Sequence, residues 1–118
     1  MTASTSLENP AESIWSIHID DLSTGQSFSQ NLFYSSSKLS AEWIVERPDV
    51  NNAISEIANF GDVTLSDCKV TMNNEVGAFG YFPSVRTYMY DTSGTRLADV
   101  SDYSNDGSSF TVQYLTSQ

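Results

Sequence analysis

Residues 40–48 read Ser-Ala-Glu-Trp-Ile-Val-Glu-Arg-Pro, and their alternation of apolar and polar side chains predicts a β-strand. Side chains of a strand point alternately to its two faces. The face predicted to belong to the core carries Ala41, Trp43 and Val45. The opposite face carries Glu42, Ile44 and Glu46. Two carboxylates beside an isoleucine are unusual for a plain solvated face. We therefore interpret this face as a candidate functional surface, with an ordinary solvated face as the alternative.

The composition limits the class of partner that the chain can bind. Its 118 residues suffice for one domain with a hydrophobic core. It has 15 acidic and 5 basic residues, giving a formal net charge of −10 at pH 7. This charge argues against nucleic acid and against anionic membrane surfaces as partners, because both require clustered cationic side chains. It fits a protein that stays soluble at neutral pH, or one that works in acid.

The chain has one cysteine and one histidine, which limits the catalytic and metal-binding sites that it can form. Cys68 is the only cysteine, which excludes an intrachain disulfide and a thiolate metal cluster. His18 is the only histidine, which excludes a multi-histidine metal site and makes Ser-His-Asp catalysis doubtful. No apolar run approaches the about 18 residues of a membrane span. The first residues lack the basic region and apolar core of a signal peptide, so this chain is not expected to be marked for export.

Short alternating segments recur along the whole chain. The predicted strands include residues 1–7, 14–20, 26–34, 40–48, 63–72, 84–91, 95–102 and 108–115. Turn signals every about 8–12 residues between such strands are typical of an antiparallel β-sandwich. Residues 49–60 differ, because their apolar positions recur at helical spacing and predict one short amphipathic helix. The prediction is therefore an all-β sandwich of two antiparallel sheets with one short helix, in which residues 1–118 form a single domain or half-domain.

Two other patterns leave alternatives open. Asp99, Asp102 and Asp106 cluster near the end of the chain, but their spacing does not match an EF-hand, so solvated turns are favoured over a calcium loop. Residues 76–83 combine glycines with aromatic side chains in an irregular loop. Such a loop either binds a ligand or anchors itself to the body of the protein, and anchoring is the more common case.

Residues 40–48 also resemble the signature of the glutamic peptidases, the eqolisin family. Neighbouring stretches support this resemblance. Residues 22–26, Leu-Ser-Thr-Gly-Gln, look like the hairpin that precedes the signature in the family. Residues 60–68 resemble the strand that follows it, and the Gly-Ser-Ser-Phe run at 107–110 agrees with the terminal strand. Together the matching stretches cover nearly the whole chain.

The resemblance implies a β-sandwich of two bent antiparallel sheets with a cleft on a concave face. Family members are secreted endopeptidases that act in acid on peptide or protein substrates and need no metal or other cofactor. Their catalytic pair is one glutamate and one glutamine, and the glutamate maps onto Glu46. Glu42 and Ile44 are then cleft-facing candidates. A carboxylate can take a proton from an attacking water, and an amide can donate a hydrogen bond to the oxyanion.

The resemblance covers only the C-terminal half of the family fold, because the catalytic glutamine lies before the region that this chain matches. No glutamine here can be assigned the missing role, and the four candidates are Gln26, Gln30, Gln113 and Gln118. We therefore expect a fragment or a natural half-domain that is inactive by itself. Open strand edges favour association, which predicts a homodimer or a complex with the missing N-terminal half.

Three interpretations of function follow from the sequence. The first is the glutamate-bearing half of an acid endopeptidase. The second is a non-catalytic β-sandwich module that binds a peptide or protein through the former cleft face or an open edge. The third is a purely structural remnant.

Overall fold

The computed structural model of the chain describes residues 1–117, in which antiparallel β-structure dominates. The chain divides into two compact units, one of residues 1–40 and one beginning at Ala41. The all-β, antiparallel class expected from the sequence is confirmed. Within residues 1–117, no helix combines the length and apolar character needed to cross a membrane.

The first unit is a three-stranded antiparallel sheet in the order β1-β2-β3. Its strands are β1 (Thr2–Asn9), β2 (Ile14–Asp21) and β3 (Gln26–Phe33). The predicted alternation is confirmed for most apolar side chains, because the register places six of them on one face, whereas Ile14 and Phe33 pair on the other; the six are Leu7, Trp15, Ile17, Ile19, Phe28 and Leu32. Gly25 closes the β2–β3 turn with φ of 71°, and its N–H donates to the Asp21 carbonyl at 2.8 Å. This sheet therefore follows from local sequence signals.

The second unit contains a four-stranded antiparallel sheet in the order β6-β11-β10-β9, together with two separate hairpins. The hairpins are β4 (Asp49–Val50) with β5 (Ala53–Ile54), and β7 (Lys69–Met72) with β8 (Glu75–Ala78). The sheet strands are β6 (Asp62–Leu65), β9 (Met89–Tyr90), β10 (Arg96–Val100) and β11 (Phe110–Tyr114). A 3-10 helix, Phe79–Tyr81, follows β8.

The helix predicted over residues 49–60 is wrong. Residues 49–54 form the β4–β5 hairpin, and the turn residues Asn51 and Asn52 adopt φ of 55° and 61°. Two central residues with positive φ make the turn that matches the twist of a tight hairpin, and asparagine tolerates this conformation. Among the apolar residues of this segment, Ile57 is buried, whereas Ile54 is 66% exposed. The helical spacing therefore did not correspond to a buried face.

The long strand predicted over residues 63–72 is interrupted. Asp67 has φ of 55°, which ends the ladder of β6 before β7 begins. The interruption turns Cys68 into the interior, where it is 4% exposed. Burial raises the pKa of the Cys68 thiol, so this cysteine behaves as a small core residue.

Two clusters form the core of the second unit. One joins Ile57, Leu97 and Ala98, and Leu97 is fully buried. The other joins Cys68, Phe79 and Phe110. Both include Val112 of β11, so they share one face of the four-stranded sheet.

The backbones around the second cluster approach closely at two glycines. The Gly80 N–H donates to the Gly107 carbonyl at 2.9 Å. A Cβ on Gly80 would lie 2.9 Å from the Gly107 Cα, so this approach requires glycine.

Aspartate side chains close three of the turns. Asp106 accepts hydrogen bonds from the Ser104 hydroxyl at 2.6 Å and from the Ser108 N–H and hydroxyl at 3.1 and 2.8 Å. Asp21 accepts from the Ser23 N–H and hydroxyl at 2.9 and 2.6 Å. These donors favour the charged carboxylate and lower the pKa of Asp106 and of Asp21 to about 2. Hydrogen bonds from Ser93 and Thr95 lower the pKa of Asp91 in the same way.

These turns predict a defined dependence of stability on pH. The pKa of Asp106 falls from 3.8 to about 2 on folding, so its stabilising contribution is complete above about pH 4. The contribution is lost as the pH falls from 4 towards 2. We expect Asp106→Ala to lower the urea midpoint at pH 5 and to have a progressively smaller effect down to pH 2.

Asp106→Asn is the matched control, because it keeps an acceptor oxygen but cannot titrate. The variant itself has no pH dependence from this site, so its difference from the unmodified chain should also shrink between pH 5 and pH 2, and at pH 5 it should be smaller than that of Asp106→Ala because one acceptor oxygen remains. Equal destabilisation by Asp106→Ala at pH 5 and pH 2 would contradict the role assigned to the ionised carboxylate.

Candidate functional site

The strand predicted over residues 40–48 is wrong, because within the described residues 1–117 this segment joins no sheet. Alternating burial over residues 42–47 nevertheless matches the prediction and indicates an extended backbone, but Ala41, which was predicted to face the core, is exposed. Trp43, Val45 and Arg47 are partly buried, whereas Glu42, Ile44 and Glu46 are exposed. The side-chain pattern is encoded locally, whereas strand pairing depends on residues elsewhere in the chain. The pattern was therefore predictable from the sequence, and the pairing was not. Pro48 lies where the extended run meets β4, and its carbonyl accepts from the Ser55 N–H at 3.0 Å.

Trp43 fixes the segment to the core of its unit. Its ring packs on Phe79 with a centroid distance of 5.4 Å and an interplanar angle of 39°. Phe79 also contacts Tyr103 at 4.9 Å and Phe110 at 5.4 Å, both edge to face. Such aromatic contacts combine apolar burial with a preferred geometry. The 3-10 helix in the predicted aromatic loop therefore anchors the loop through Phe79 and supports the segment that carries Glu46.

The outward side of the segment presents the predicted site residues to solvent. Ile44 is 54% exposed and lies between Glu42 and Glu46 in the alternation. Residues four apart on an extended chain are separated by about 13 Å, so the two carboxylates can contact different parts of one extended ligand. The structure thus brings Glu42, Ile44 and Glu46 to one accessible surface.

The glutamines do not share this surface within the second unit. Gln113 lies on β11 next to Val112, which packs in the core, so its side chain points to the opposite face of the sheet. Gln26 and Gln30 lie on β3 of the first unit, opposite Asp21 and Ile17. Gln118 lies outside the described residues.

The outer face of the four-stranded sheet carries a groove that sequence analysis missed. It has a volume of about 180 Å³ and is lined by Asp62, Asp99, Val100, Ser101, Thr111 and Gln113. The register places Gln113 directly between Asp62 on β6 and Asp99 on β10. Alternation within β11 indicated a polar face. The groove itself became visible only from the pairing of β11 with β6 and β10, because β6 is distant from both in sequence.

The other candidate residues have structural partners. Asp99 pairs with Arg96 at 3.2 Å, Asp102 pairs with Arg86 at 2.8 Å, and Asp106 holds its own turn. The described residues 1–117 contain no group of three or more His, Cys, Asp or Glu side chains arranged to hold a metal ion. In the first unit, His18 Nε2 lies 2.9 Å from Asp20 Oδ2, and the side chain is 45% exposed.

Comparison with known proteins places this fold among peptidases. A sequence model of the Peptidase A4 family matches residues 4–114. Among solved structures, the chain is similar to aspergilloglutamic peptidase from Aspergillus niger, with a TM-score of 0.75 and 25% sequence identity. The similarity covers 97% of this chain and 66% of that one, so the chain spans about two thirds of its solved relative. It also supports the β-sandwich class predicted from the sequence. A search of curated proteins found no match.

Anchoring of the segment can be tested by substituting neighbouring residues on opposite sides of it. We expect Trp43→Ala to lower the free energy of unfolding by about 2–3 kcal/mol, less than for a fully buried tryptophan because Trp43 is only partly buried. Ile44→Ala, the control, should change it by less than about 0.5 kcal/mol. Urea unfolding measures both, and equal effects would show that the segment is not held through Trp43.

Proposed function

Because the chain belongs to the Peptidase A4 family, we propose that it is the glutamate-bearing part of an acid endopeptidase, with Glu46 as the general base. The observation that carries this proposal is the placement of the signature. Glu46 is exposed on an extended segment that Trp43 fixes to the core. A catalytic base requires access to substrate and a fixed backbone, and this position offers both.

The proposed reaction is hydrolysis of a peptide bond in a peptide or protein substrate. The Glu46 carboxylate takes one proton from a water molecule as the water oxygen attacks the carbonyl carbon. The carbonyl oxygen becomes an oxyanion, which a side-chain amide stabilises by donating a hydrogen bond. When the tetrahedral intermediate collapses, the carbon–nitrogen bond breaks and the proton passes from Glu46 to the leaving nitrogen. This sequence uses a carboxyl group and an amide, without metal or cofactor. Glu42 and Ile44 would contact the substrate beside the reacting bond.

Action in acid is supported by the turn aspartates. Asp21 and Asp106 have pKa values of about 2, so their turns keep charged hydrogen-bond acceptors at pH values where ordinary carboxylates are neutral. These turns therefore keep most of their charged hydrogen bonds at about pH 3–4, where an acid endopeptidase would work. These conditions fit a protein that acts outside the cell, and we include a secreted location in the proposal.

We further propose that these 118 residues have little activity without another polypeptide segment. Among residues 41–117 the single glutamine is Gln113, and it faces away from the Glu46 segment. Removal of one oxyanion donor costs about 10²–10³ in rate. The amide partner of Glu46 would therefore come from the part of the family fold without a counterpart here, so the chain corresponds to a half-domain.

A non-catalytic binding module is the second candidate. The groove between Asp62, Gln113 and Asp99 favours it, because it combines acceptors and an amide on a sheet face that is not needed for the core. A peptide with polar or cationic side chains would match this surface.

The enzyme proposal is tested by prolonged digestion of a denatured protein at about pH 3–4 with a high concentration of the chain. We expect slow cleavage that Glu46→Gln reduces by about 10²-fold or more, since the variant cannot accept a proton. Peptide products would be quantified by mass spectrometry.

Glu56→Gln is the matched control, because it makes the same change at an exposed glutamate outside the proposed site. Cleavage should persist in this variant within a few-fold of the unmodified chain. Equal loss of cleavage in both variants would contradict the role of Glu46, whereas absence of cleavage by the unmodified chain would leave the binding module as the function of these 118 residues.

A further inference from the structure

Strand β3 is an edge of the three-stranded sheet, and within residues 1–117 it pairs only with β2. Its 8 residues, Gln26–Phe33, pair with β2 without a bulge. They include no charged residue and no proline. Natural proteins usually protect an open edge by such a residue, by a bulge or by a short strand, because free N–H and C=O groups can pair with another strand. By this criterion β3 is an unprotected edge.

The other edges of the three-stranded and four-stranded sheets are protected. Strand β1 has an irregularity between Leu7 and Asn9, and the charged Glu8 lies at that point. In the four-stranded sheet, β9 has 2 residues, and β6 has 4 residues and begins with Asp62. By contrast, residues 26–31 of β3 are all exposed. A long, accessible and uncharged edge is therefore a specific feature of β3.

One backbone contact shows which groups of β3 point to the open side. The Tyr34 N–H donates to the Ser13 carbonyl at 3.0 Å, so Tyr34 bonds on the side of β2. In an antiparallel sheet, the N–H and C=O of one residue point to the same side, and successive residues alternate. Phe28, Gln30 and Leu32 therefore bond to β2. The residues between and beside them direct their backbone groups to the open edge: Ser27, Ser29, Asn31 and Phe33.

We propose that β3 pairs with β3 of a second copy of this chain, antiparallel and centred on Gln30, to form a symmetric dimer. In this register, Ser29 meets Asn31 of the other copy, and Ser27 meets Phe33. The backbone groups of these residues all point to the open edge, so the two copies form about eight backbone hydrogen bonds. The two three-stranded sheets then become one six-stranded sheet, and each residue pair occurs twice by symmetry.

The apolar side chains of β3 select this register. With Gln30 at the centre, Phe28 lies opposite Leu32 of the other copy, on the face where β2 carries most of its apolar side chains. Phe28 is 52% exposed, so this contact removes apolar surface from water. Centring the pair on Ser29 would oppose Phe28 with Gln30. Centring it on Asn31 would oppose Leu32 with Gln30, so only the proposed centre matches the two apolar residues with each other.

The charge of the chain favours a second copy at this edge over one at other surfaces. Each copy has a formal net charge of −10, so two copies repel each other unless they meet where neither is charged. Residues 26–37 contain no charged side chain, and β3 lies within this run. The two Gln30 amides at the centre can donate and accept hydrogen bonds between them. Of the assemblies expected from the sequence, this one is the homodimer, and it does not depend on the role proposed for Glu46.

Sedimentation velocity of the 118-residue chain at neutral pH tests whether it dimerises. One strand pair is a small interface, so we expect reversible dimerisation with a dissociation constant in the micromolar range. Salt should strengthen the dimer, because it screens the repulsion between two acidic chains. A chain that stays monomeric up to about 1 mM in about 0.15 M salt would overturn the proposal and leave the edge to a strand of another protein.

Gln30→Lys and Thr5→Lys form a matched pair of variants. Both positions are exposed and lie opposite Ile17 on the same face, one on the β3 edge and the other on the β1 edge. Gln30→Lys places two ammonium groups directly opposite each other, so the dissociation constant should rise by at least about tenfold. Thr5→Lys adds the same charge and should change it by less than about threefold. Equal weakening by both variants, or no weakening by Gln30→Lys, would overturn the proposal.

Gln30→Cys tests the register itself. At the centre of the dimer the two Cβ atoms lie about 4.5 Å apart, which permits a disulfide between the introduced thiols. The native Cys68 is 4% exposed and does not compete. We expect oxidation by dissolved oxygen to convert this variant into a covalent dimer on a non-reducing gel, whereas the control Thr5→Cys should remain monomeric. Equal cross-linking of the two variants, or of neither, would contradict pairing centred on Gln30.

Discussion

The packing of Trp43 on Phe79 is the contact on which the organisation of the second unit depends. Phe79 lies among Trp43, Tyr103 and Phe110, so one ring joins the extended segment, the long loop after β10 and the central strand β11. Its position depends in turn on the backbone contact between Gly80 and Gly107, where no larger residue fits. Two glycines and one aromatic cluster therefore determine where the Glu46 segment lies.

Sequence predicted the parts of this fold that are encoded locally. Alternation and turn residues located β2, β3 and β11, because each strand alternates polar and apolar side chains and adjoins a turn. The same reasoning misplaced a helix at residues 49–60, where two asparagines with positive φ form a hairpin. The helical spacing of apolar residues over residues 49–60 was therefore a weaker signal than the two asparagines, which favour a tight hairpin turn.

The candidate site was predictable to a similar extent. The faces of residues 40–48 followed from alternation, and the family signature distinguished Glu46 from Glu42. The absence of a paired strand could not be predicted, because pairing depends on segments distant in sequence. The groove around Gln113 could not be predicted for the same reason. Its residues Asp62, Asp99 and Gln113 become neighbours only through the strand order of the sheet.

The aspartate turns also bear on how easily proteases can cut this chain. Exposed loop tips are where chains are usually cut by proteases. Cleavage requires a loop to open into an extended form. The Asp106 carboxylate accepts hydrogen bonds from Ser104 and Ser108, which lower its pKa to about 2, so these bonds oppose the opening of the turn in mild acid as well as at neutral pH.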